Sequence, residues 1–185
     1  MTYKIKHILI FIFIALTSCA GQNETPDQPA MADEPQLDKL YENIVVQGFD
    51  AASDVKEDYP DAANECQAGM ISALLMKNVY KSITVEGPDT VYKDRTLLVK
   101  ANIKEMRVVS TAARVWGGAM AGSSYMDMEI MLIDAVTQKE VRKKELNSSN
   151  NAWAAAWVGG SSDRSLPSDM GGIIAEYILS VVPYK

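Results

Sequence analysis

Two stretches in the middle of the chain alternate apolar side chains with other residues at a period of two. In residues 96–104 the apolar positions on one face are Leu97, Val99, Ala101 and Ile103. In residues 125–133 they are Met126, Met128, Ile130 and Leu132. This period predicts strands with one buried face. In the second stretch Asp127 and Glu129 face the other way, so a slip of one residue would bury both, and the register is well specified.

Three further segments have the composition of strands. β-Branched residues stand at the centre of residues 41–49, and residues 79–85 are similar in composition. Residues 134–139 predict a hairpin turn that leads into a charged strand, KEVRKKELN. The basic residues of that strand are Lys139, Arg142, Lys143 and Lys144. They fit either a docking patch or a charged edge that prevents pairing with other chains, and we favour the edge.

Apolar residues at three- and four-residue spacing predict two helices. The first begins near Pro60, with Asp58 or Asp61 as its cap, and ends at Lys77-Asn78. Its apolar positions are Ala62, Ala63, Cys66, Met70, Ala73 and Leu74. The second begins within residues 165–169, and its wide apolar stripe consists of Met170, Ile173, Ile174, Tyr177, Ile178 and Val181. The order of elements predicts an α+β two-layer sandwich, with a mainly antiparallel sheet and two helices packed on one face.

The N-terminal residues follow a different pattern. Lys4, Lys6 and His7 precede nine consecutive apolar residues, Ile8 to Leu16. That run is too short for a membrane-spanning helix, which needs about 20 residues. A basic start followed by a short apolar run is typical of a signal peptide, which we assign to residues 1–18.

The residues at the end of this signal are Leu16, Thr17, Ser18 and Cys19, and they resemble the lipobox of bacterial lipoproteins position by position. The resemblance implies that diacylglycerol alkylates the Cys19 thiol, that cleavage makes Cys19 the N-terminus, and that its amine is acylated, as with palmitate. Several acyl chains suffice for a stable anchor. Ala20 stands where aspartate commonly signals inner-membrane retention, so analogy favours the outer membrane, facing the periplasm. The alternative is an ordinary signal peptide followed by a chance cysteine.

Composition divides the rest of the chain into a tether and one domain. Residues 19–36 contain three prolines and four acidic residues, which predicts a lipid-anchored disordered tether. Residues 37–185 then form a single periplasmic domain. A total of 185 residues, 48% of them apolar, with a mean hydropathy of −0.07, leaves room for one ordinary globular domain.

Cleavage before Cys19 would also remove two lysines and the one histidine, and so change the formal net charge from −6 to −8. An acidic chain without histidine excludes Ser-His-Asp and Cys-His catalysis and disfavours nucleic acid as a partner. We therefore predict no enzyme activity and no cofactor. Asp127, Glu129 and Asp134 could in principle hold a metal ion, but Asp127 and Glu129 share the polar face of one strand, as residues of a solvated sheet face do, and we predict no metal. Cys66 is either a buried apolar group or a reactive thiol, and we favour burial.

Two Gly-rich, apolar segments, residues 112–124 and 150–162, carry all three tryptophans. Tryptophan and arginine are the side chains most enriched at binding hot spots. We therefore predict a surface for a partner or for self-association, and its candidate residues are Arg114, Trp116, Trp153, Trp157 and Arg164. The alternative, which fits equally well or slightly better, is that the two segments pack on each other to cap the sheet, with the tryptophans as an internal cluster.

Residues 114–126, RVWGGAMAGSSYM, together with Glu129 and residues 132–134, resemble a family of small bacterial lipoproteins classed only as a domain of unknown function. In that family the Gly-rich loop precedes a strand that ends in DA-x-TG-K. Gln138 replaces the glycine here, which implies a different turn. The resemblance covers about residues 41–182 and implies no activity.

More loosely, the order of elements is similar to the fold of the curli secretion lipoprotein and of the lipoprotein activators of penicillin-binding proteins. A pore is nevertheless disfavoured, because neither Gly-rich segment alternates over the roughly nine to eleven residues that a membrane strand needs. We expect a membrane-anchored lipoprotein that acts as a non-enzymatic accessory or partner-binding component of a cell-envelope complex. The alternative is a self-assembling structural envelope lipoprotein, and a secretion-pore-like subunit is a more distant one.

Overall fold

The computed structural model describes residues 34–109, 116, 123–148 and 165–184. Within these ranges six strands form one sheet, and helices pack against it. The strands are β1 Asn43–Val46, β2 Asp50–Ala51, β3 Ser82–Val85, β4 Thr96–Arg107, β5 Tyr125–Asp134 and β6 Lys139–Asn147. The helices are α1 Ser53–Asp58, α2 Ala62–Lys77 and α3 Leu166–Val181. The predicted α+β class is thereby confirmed.

The sheet is mixed, with the strand order β3-β1-β4-β5-β6, and β2 pairs with β4. The long strands β4, β5 and β6 are successive antiparallel neighbours, and the predicted hairpin turn at residues 134–139 joins β5 to β6. The short strand β1 is parallel to both β3 and β4. A helical crossover through α2 returns the chain to the same end of the sheet, and parallel pairing of β1 with β3 follows from it.

The burial of β5 alternates residue by residue, as predicted, with the even-numbered side chains buried from Met126 to Asp134. The first four residues of β4 are buried on both faces, which differs from the half-buried strand that the sequence predicts. Leu98 packs with Val45 and Ala135 on the face away from the helices, and Tyr92 covers this small cluster. The loop before β4 therefore shields part of the outer face.

The two long helices begin and end close to their predicted bounds. Asn78 ends α2 in the left-handed conformation, with a φ of 51°. The predicted strand at residues 41–49 is shorter, Asn43–Val46, and the one at residues 79–85 begins only at Ser82. The short helix α1 was not predicted, because a single buried side chain, Val55, gives it no repeating pattern.

The turn between β5 and β6 has Gln138 in the left-handed region, with a φ of 56°. A glycine adopts that conformation without steric cost, and most other residues avoid it. The Gln138 side chain donates a hydrogen bond to the Ala135 carbonyl oxygen at 2.6 Å, which helps to hold the turn. Gln138 thus has a positive φ at the position where the family has glycine, and the expected difference in turn type stays a prediction.

Helices α2 and α3 cross at glycines. A Cβ atom added to Gly171 would lie 2.2 Å from the Cys66 carbonyl oxygen and 2.5 Å from the Met70 nitrogen. A Cβ atom added to Gly69 would lie 2.5 Å from the Ser168 carbonyl oxygen. The two backbones are therefore in direct contact. This close approach lets α3 pack against both α2 and the sheet, and eleven of its sixteen residues are buried.

Candidate functional site

Of the residues predicted from sequence to carry function, the structure describes one, Trp116. Its side chain is 90% exposed. The others lie outside the described residues, namely Cys19, Arg114, Trp153, Trp157 and Arg164. The lipid attachment and the wider tryptophan surface therefore stay predictions.

The described residues that flank the two Gly-rich segments lie at one end of the sheet. The Val109 amide donates to Ser124 Oγ at 2.9 Å, which joins the two sides of the first segment. The Met126 amide donates to Ser148 Oγ at 2.8 Å, which places the start of the second segment beside the end of the first. Val109, Ser124 and Ser148, which flank these segments, thus lie at the same end of the sheet.

A groove lies at this end, between the α1–α2 junction, the end of β4 and the start of α3. It has a volume of about 390 Å³. Its lining residues are Tyr59, Pro60, Asp61, Ala62, Glu65, Met106, Val108 and Pro167. Ala62 and Pro167 are buried in its apolar floor, while the carboxylates of Asp61 and Glu65 are exposed at its rim.

The groove has the chemistry of a docking pocket. The Tyr59 hydroxyl accepts a hydrogen bond from the Val108 amide at 3.2 Å, so this ring is held in place. Apolar walls with a few polar groups at the rim favour an apolar side chain that carries a hydrogen-bond donor. Sequence reasoning missed the groove because its lining comes from segments that are separated along the chain.

The acidic residues of β5 are used within the fold. Glu129 forms ion pairs with Lys104 at 3.0 Å and with Lys143 at 2.9 Å. Hydrogen bonds from these two lysines lower the pKa of Glu129. Within the described part of the chain, no group of three or more His, Cys, Asp or Glu side chains is placed to hold a metal ion.

Asp134 ends β5 on the buried face and is itself buried. Its Oδ2 accepts a hydrogen bond from Lys39 Nζ at 2.6 Å and another from the Tyr41 hydroxyl at 3.2 Å. Its Oδ1 accepts from the Thr137 amide at 3.0 Å. Burial opposes ionisation of this carboxyl, but the bonds from Lys39 and Thr137 hold its pKa well below the usual value. Asp134 is a structural carboxylate.

The basic residues of β6 are mostly paired inside the domain. Arg142 and Lys144 both contact the carboxylate of Glu34, Arg142 at 3.2 Å. Lys143 pairs with Glu129. Strand β6 stands at the end of the sheet order, where charged residues discourage pairing with other strands. The favoured interpretation as a protected edge therefore agrees with the topology.

Residues 34–37, which we call the N-terminal strap, fasten the chain to the domain. The Glu34 carboxylate accepts a hydrogen bond from the Tyr177 hydroxyl at 2.9 Å, and the Pro35 carbonyl oxygen accepts one from Arg142 at 2.9 Å. The Leu37 amide donates to the Val181 carbonyl oxygen at 2.7 Å. Partial burial alone would raise the pKa of Glu34, but the bonds from Lys144 and Tyr177 lower it.

Cys66 is fully buried between α2 and the sheet, as favoured from sequence. Its Sγ lies 3.9 Å from the Met128 sulfur. Burial raises the pKa of the Cys66 thiol to about 12. Since the thiolate is the nucleophile, this thiol is unreactive at neutral pH while the protein is folded.

Comparisons with known proteins place this geometry in context. The family model described as a domain of unknown function, DUF4410, matches residues 22–158. Comparison with curated proteins gives no significant match. None of the helices in the described ranges is long and apolar enough to cross a membrane.

Several solved structures share the fold at low sequence identity. A PelC dodecamer from Paraburkholderia phytofirmans is 13% identical, with 80% of this chain and 94% of that chain covered and a TM-score of 0.53. A variant PelC dodecamer from the same organism is 14% identical, with 78% and 91% covered and a TM-score of 0.50. A DUF330 protein from Xanthomonas campestris is 10% identical, with 79% and 88% covered and a TM-score of 0.50.

Proposed function

This chain belongs to the DUF4410 family, a domain of unknown function, and we propose that it is a lipid-anchored accessory protein of the bacterial cell envelope that acts by binding proteins and not by catalysis. The observation that carries the proposal is the lipobox at residues 16–19 after a basic and apolar start. The acyl chains hold Cys19 in the outer membrane, and the domain faces the periplasm. The exposed Trp116 and the groove supply contact surfaces.

Lipid attachment is tested by removing each of the two cysteines in turn from the full chain. Cys19→Ala abolishes acylation, because the thiol that carries diacylglycerol is gone. Cys66→Ala is the matched control, since it removes the other thiol and leaves the lipobox intact. The measurement is the intact mass of the protein from bacterial membranes, together with incorporation of labelled palmitate.

We expect labelled, membrane-bound protein from the wild type and from Cys66→Ala. Cys19→Ala is expected to carry no labelled palmitate and to retain its uncleaved signal peptide, residues 1–18. A wild-type protein that carries no lipid on Cys19 contradicts the proposal outright.

Self-assembly is the second candidate, and a specific observation favours it. The two PelC structures of this fold are dodecamers, and the match spans 94% of one of those chains. We propose that copies of this chain associate in the membrane plane. Native mass spectrometry of the detergent-solubilised full chain is expected to show a discrete oligomer, and a monomer at all concentrations would count against self-assembly.

A further inference from the structure

The groove is large enough for a bulky side chain and has no charged group in its floor. Its volume of about 390 Å³ lies within the range of pockets that enclose small organic groups, about 300–1,000 Å³. Met106 and Val108 form apolar wall at the end of β4. Asp61 and Glu65 place two hydrogen-bond acceptors at the rim.

Trp116 has the complementary properties. Its indole is 90% exposed, although tryptophan buries more apolar area than most side chains when it finds a partner. Such exposure means that Trp116 does not fill the groove of its own chain. The indole N–H is a donor only, so it pairs with acceptors such as the rim carboxylates.

Charge points the same way. The rim of the groove continues into the acidic helix α1, whose exposed side chains include Asp54, Glu57 and Asp58. In the sequence Arg114 stands two positions before Trp116, although it lies outside the described residues. A basic residue beside the tryptophan suits an acidic rim.

We infer that Trp116 of one copy docks in the groove of a second copy of this chain. The inference rests on the proposed self-assembly and names its contact. The tryptophan and the groove are different patches, so the contact is heterologous, and a pair of copies keeps one free groove and one free tryptophan for the next neighbours. Heterologous contacts of this kind generate rings when the rotation closes.

The test uses the full chain solubilised from membranes, with the dissociation constant of the assembly measured by light scattering and native mass spectrometry. Trp116→Ala removes the indole, and Glu65→Arg places a positive charge at the rim. Each is expected to weaken assembly at least tenfold, as truncation of a hot-spot residue does. Melting temperatures should stay at the wild-type value, since both side chains are exposed.

Matched controls separate the contact from general surface effects. Val91→Ala removes another exposed apolar side chain, and Asp89→Arg makes the same charge change in the loop before β4, outside α1 and outside the groove lining. Both controls are expected to assemble as the wild type does.

A mixing experiment then tests the directionality of the contact. The Trp116→Ala chain keeps its groove, and the Glu65→Arg chain keeps its tryptophan. At a concentration where each variant by itself is monomeric, an equal mixture is therefore expected to form dimers through one intact contact and nothing larger.

The possible failures are distinguishable. If the wild type assembles and Trp116→Ala assembles equally well, the contact is wrong while self-assembly stands. If the wild type is monomeric, both self-assembly and this contact are overturned, while lipid anchoring is still judged by the Cys19 experiment. A lower melting temperature of the Trp116→Ala monomer would show that the indole packs within its own chain, which also overturns the inference.

Discussion

The Asp134 carboxylate joins two parts of the chain that lie far apart in sequence. It holds Lys39 and Tyr41 of the N-terminal region and the turn at Thr137. A buried carboxylate is tolerated only when its charge and its lone pairs are satisfied, and here five hydrogen bonds from the chain do so. From sequence, Asp134 was weighed only as one of three possible metal ligands, and its ion pair with Lys39 and its bond from Tyr41 were not predicted.

This carboxylate makes the stability of the domain depend on pH. Its pKa is lower in the folded protein than the value of about 3.9 for an unfolded chain, so its stabilisation is present above pH 4 and is lost as the pH falls below it. We expect Asp134→Asn to lower the free energy of unfolding at pH 7 by about 2 kcal/mol. The loss of stability between pH 5 and pH 3 should also become shallower. Urea unfolding across this range measures both effects.

The control for this experiment is Asp89→Asn, because Asp89 is exposed in a loop. It should follow the wild-type pH profile. An Asp134→Asn protein with that same profile would show that the carboxylate does not contribute through its charge.

At the scale of elements, the α2–α3 crossing depends on Gly69 and Gly171. Neither residue has a Cβ atom, so the backbones of the two helices can touch. We expect Gly171→Ala to lower the free energy of unfolding by about 3 kcal/mol, because its Cβ would meet backbone atoms of α2 that cannot rotate away. Gly172 is the matched control, since a Cβ there meets nothing within 4 Å. Gly172→Ala should stabilise the helix by up to about 1 kcal/mol. Thermal unfolding of both variants measures these changes in stability. Equal changes for Gly171→Ala and Gly172→Ala would contradict the close approach of the two helices.

Elements with a strong local pattern were predicted well from sequence. Strand β6 has the predicted bounds, Lys139–Asn147, and α3 begins within the predicted residues 165–169. The parallel pairing of β1 was not predicted, because it depends on a crossover that no local pattern encodes. The groove and the glycine crossing were missed for the same reason, since each forms only when distant segments meet.

At the scale of the whole molecule, the N-terminal strap is the feature that composition concealed. Glu34 lies in a proline-rich, acidic stretch that predicts a tether, yet its partner Arg142 is 108 positions away in sequence and Tyr177 is 143 positions away. These contacts tie the start of the described chain to the last helix and to the edge strand. The tether signal was read from local composition, which carries no information about such distant partners.

The strap contributes measurably to stability. We expect Glu34→Gln in the full chain to lower the free energy of unfolding by about 1 kcal/mol, because the ion pairs with Arg142 and Lys144 are only partly shielded from solvent. The Leu37 amide, which donates to Val181, should then exchange its hydrogen faster. Hydrogen exchange measured by mass spectrometry tests this. Glu57→Gln, on an exposed part of α1, should change neither quantity.

If Cys19 carries the proposed lipid, the strap also limits the distance between the domain and the membrane. Because Glu34 is bonded to the domain, the proposed tether is shortened to the fifteen residues from 19 to 33. A fully extended chain of this length spans about 50 Å, and a random coil of the same length spans about 20 Å on average. Every anchored copy would therefore stay within about this distance of the membrane surface, which raises the local concentration of the domains. In a ring with cyclic symmetry the equivalent N-termini lie in one plane perpendicular to the symmetry axis, so a single bilayer can hold all of their lipids.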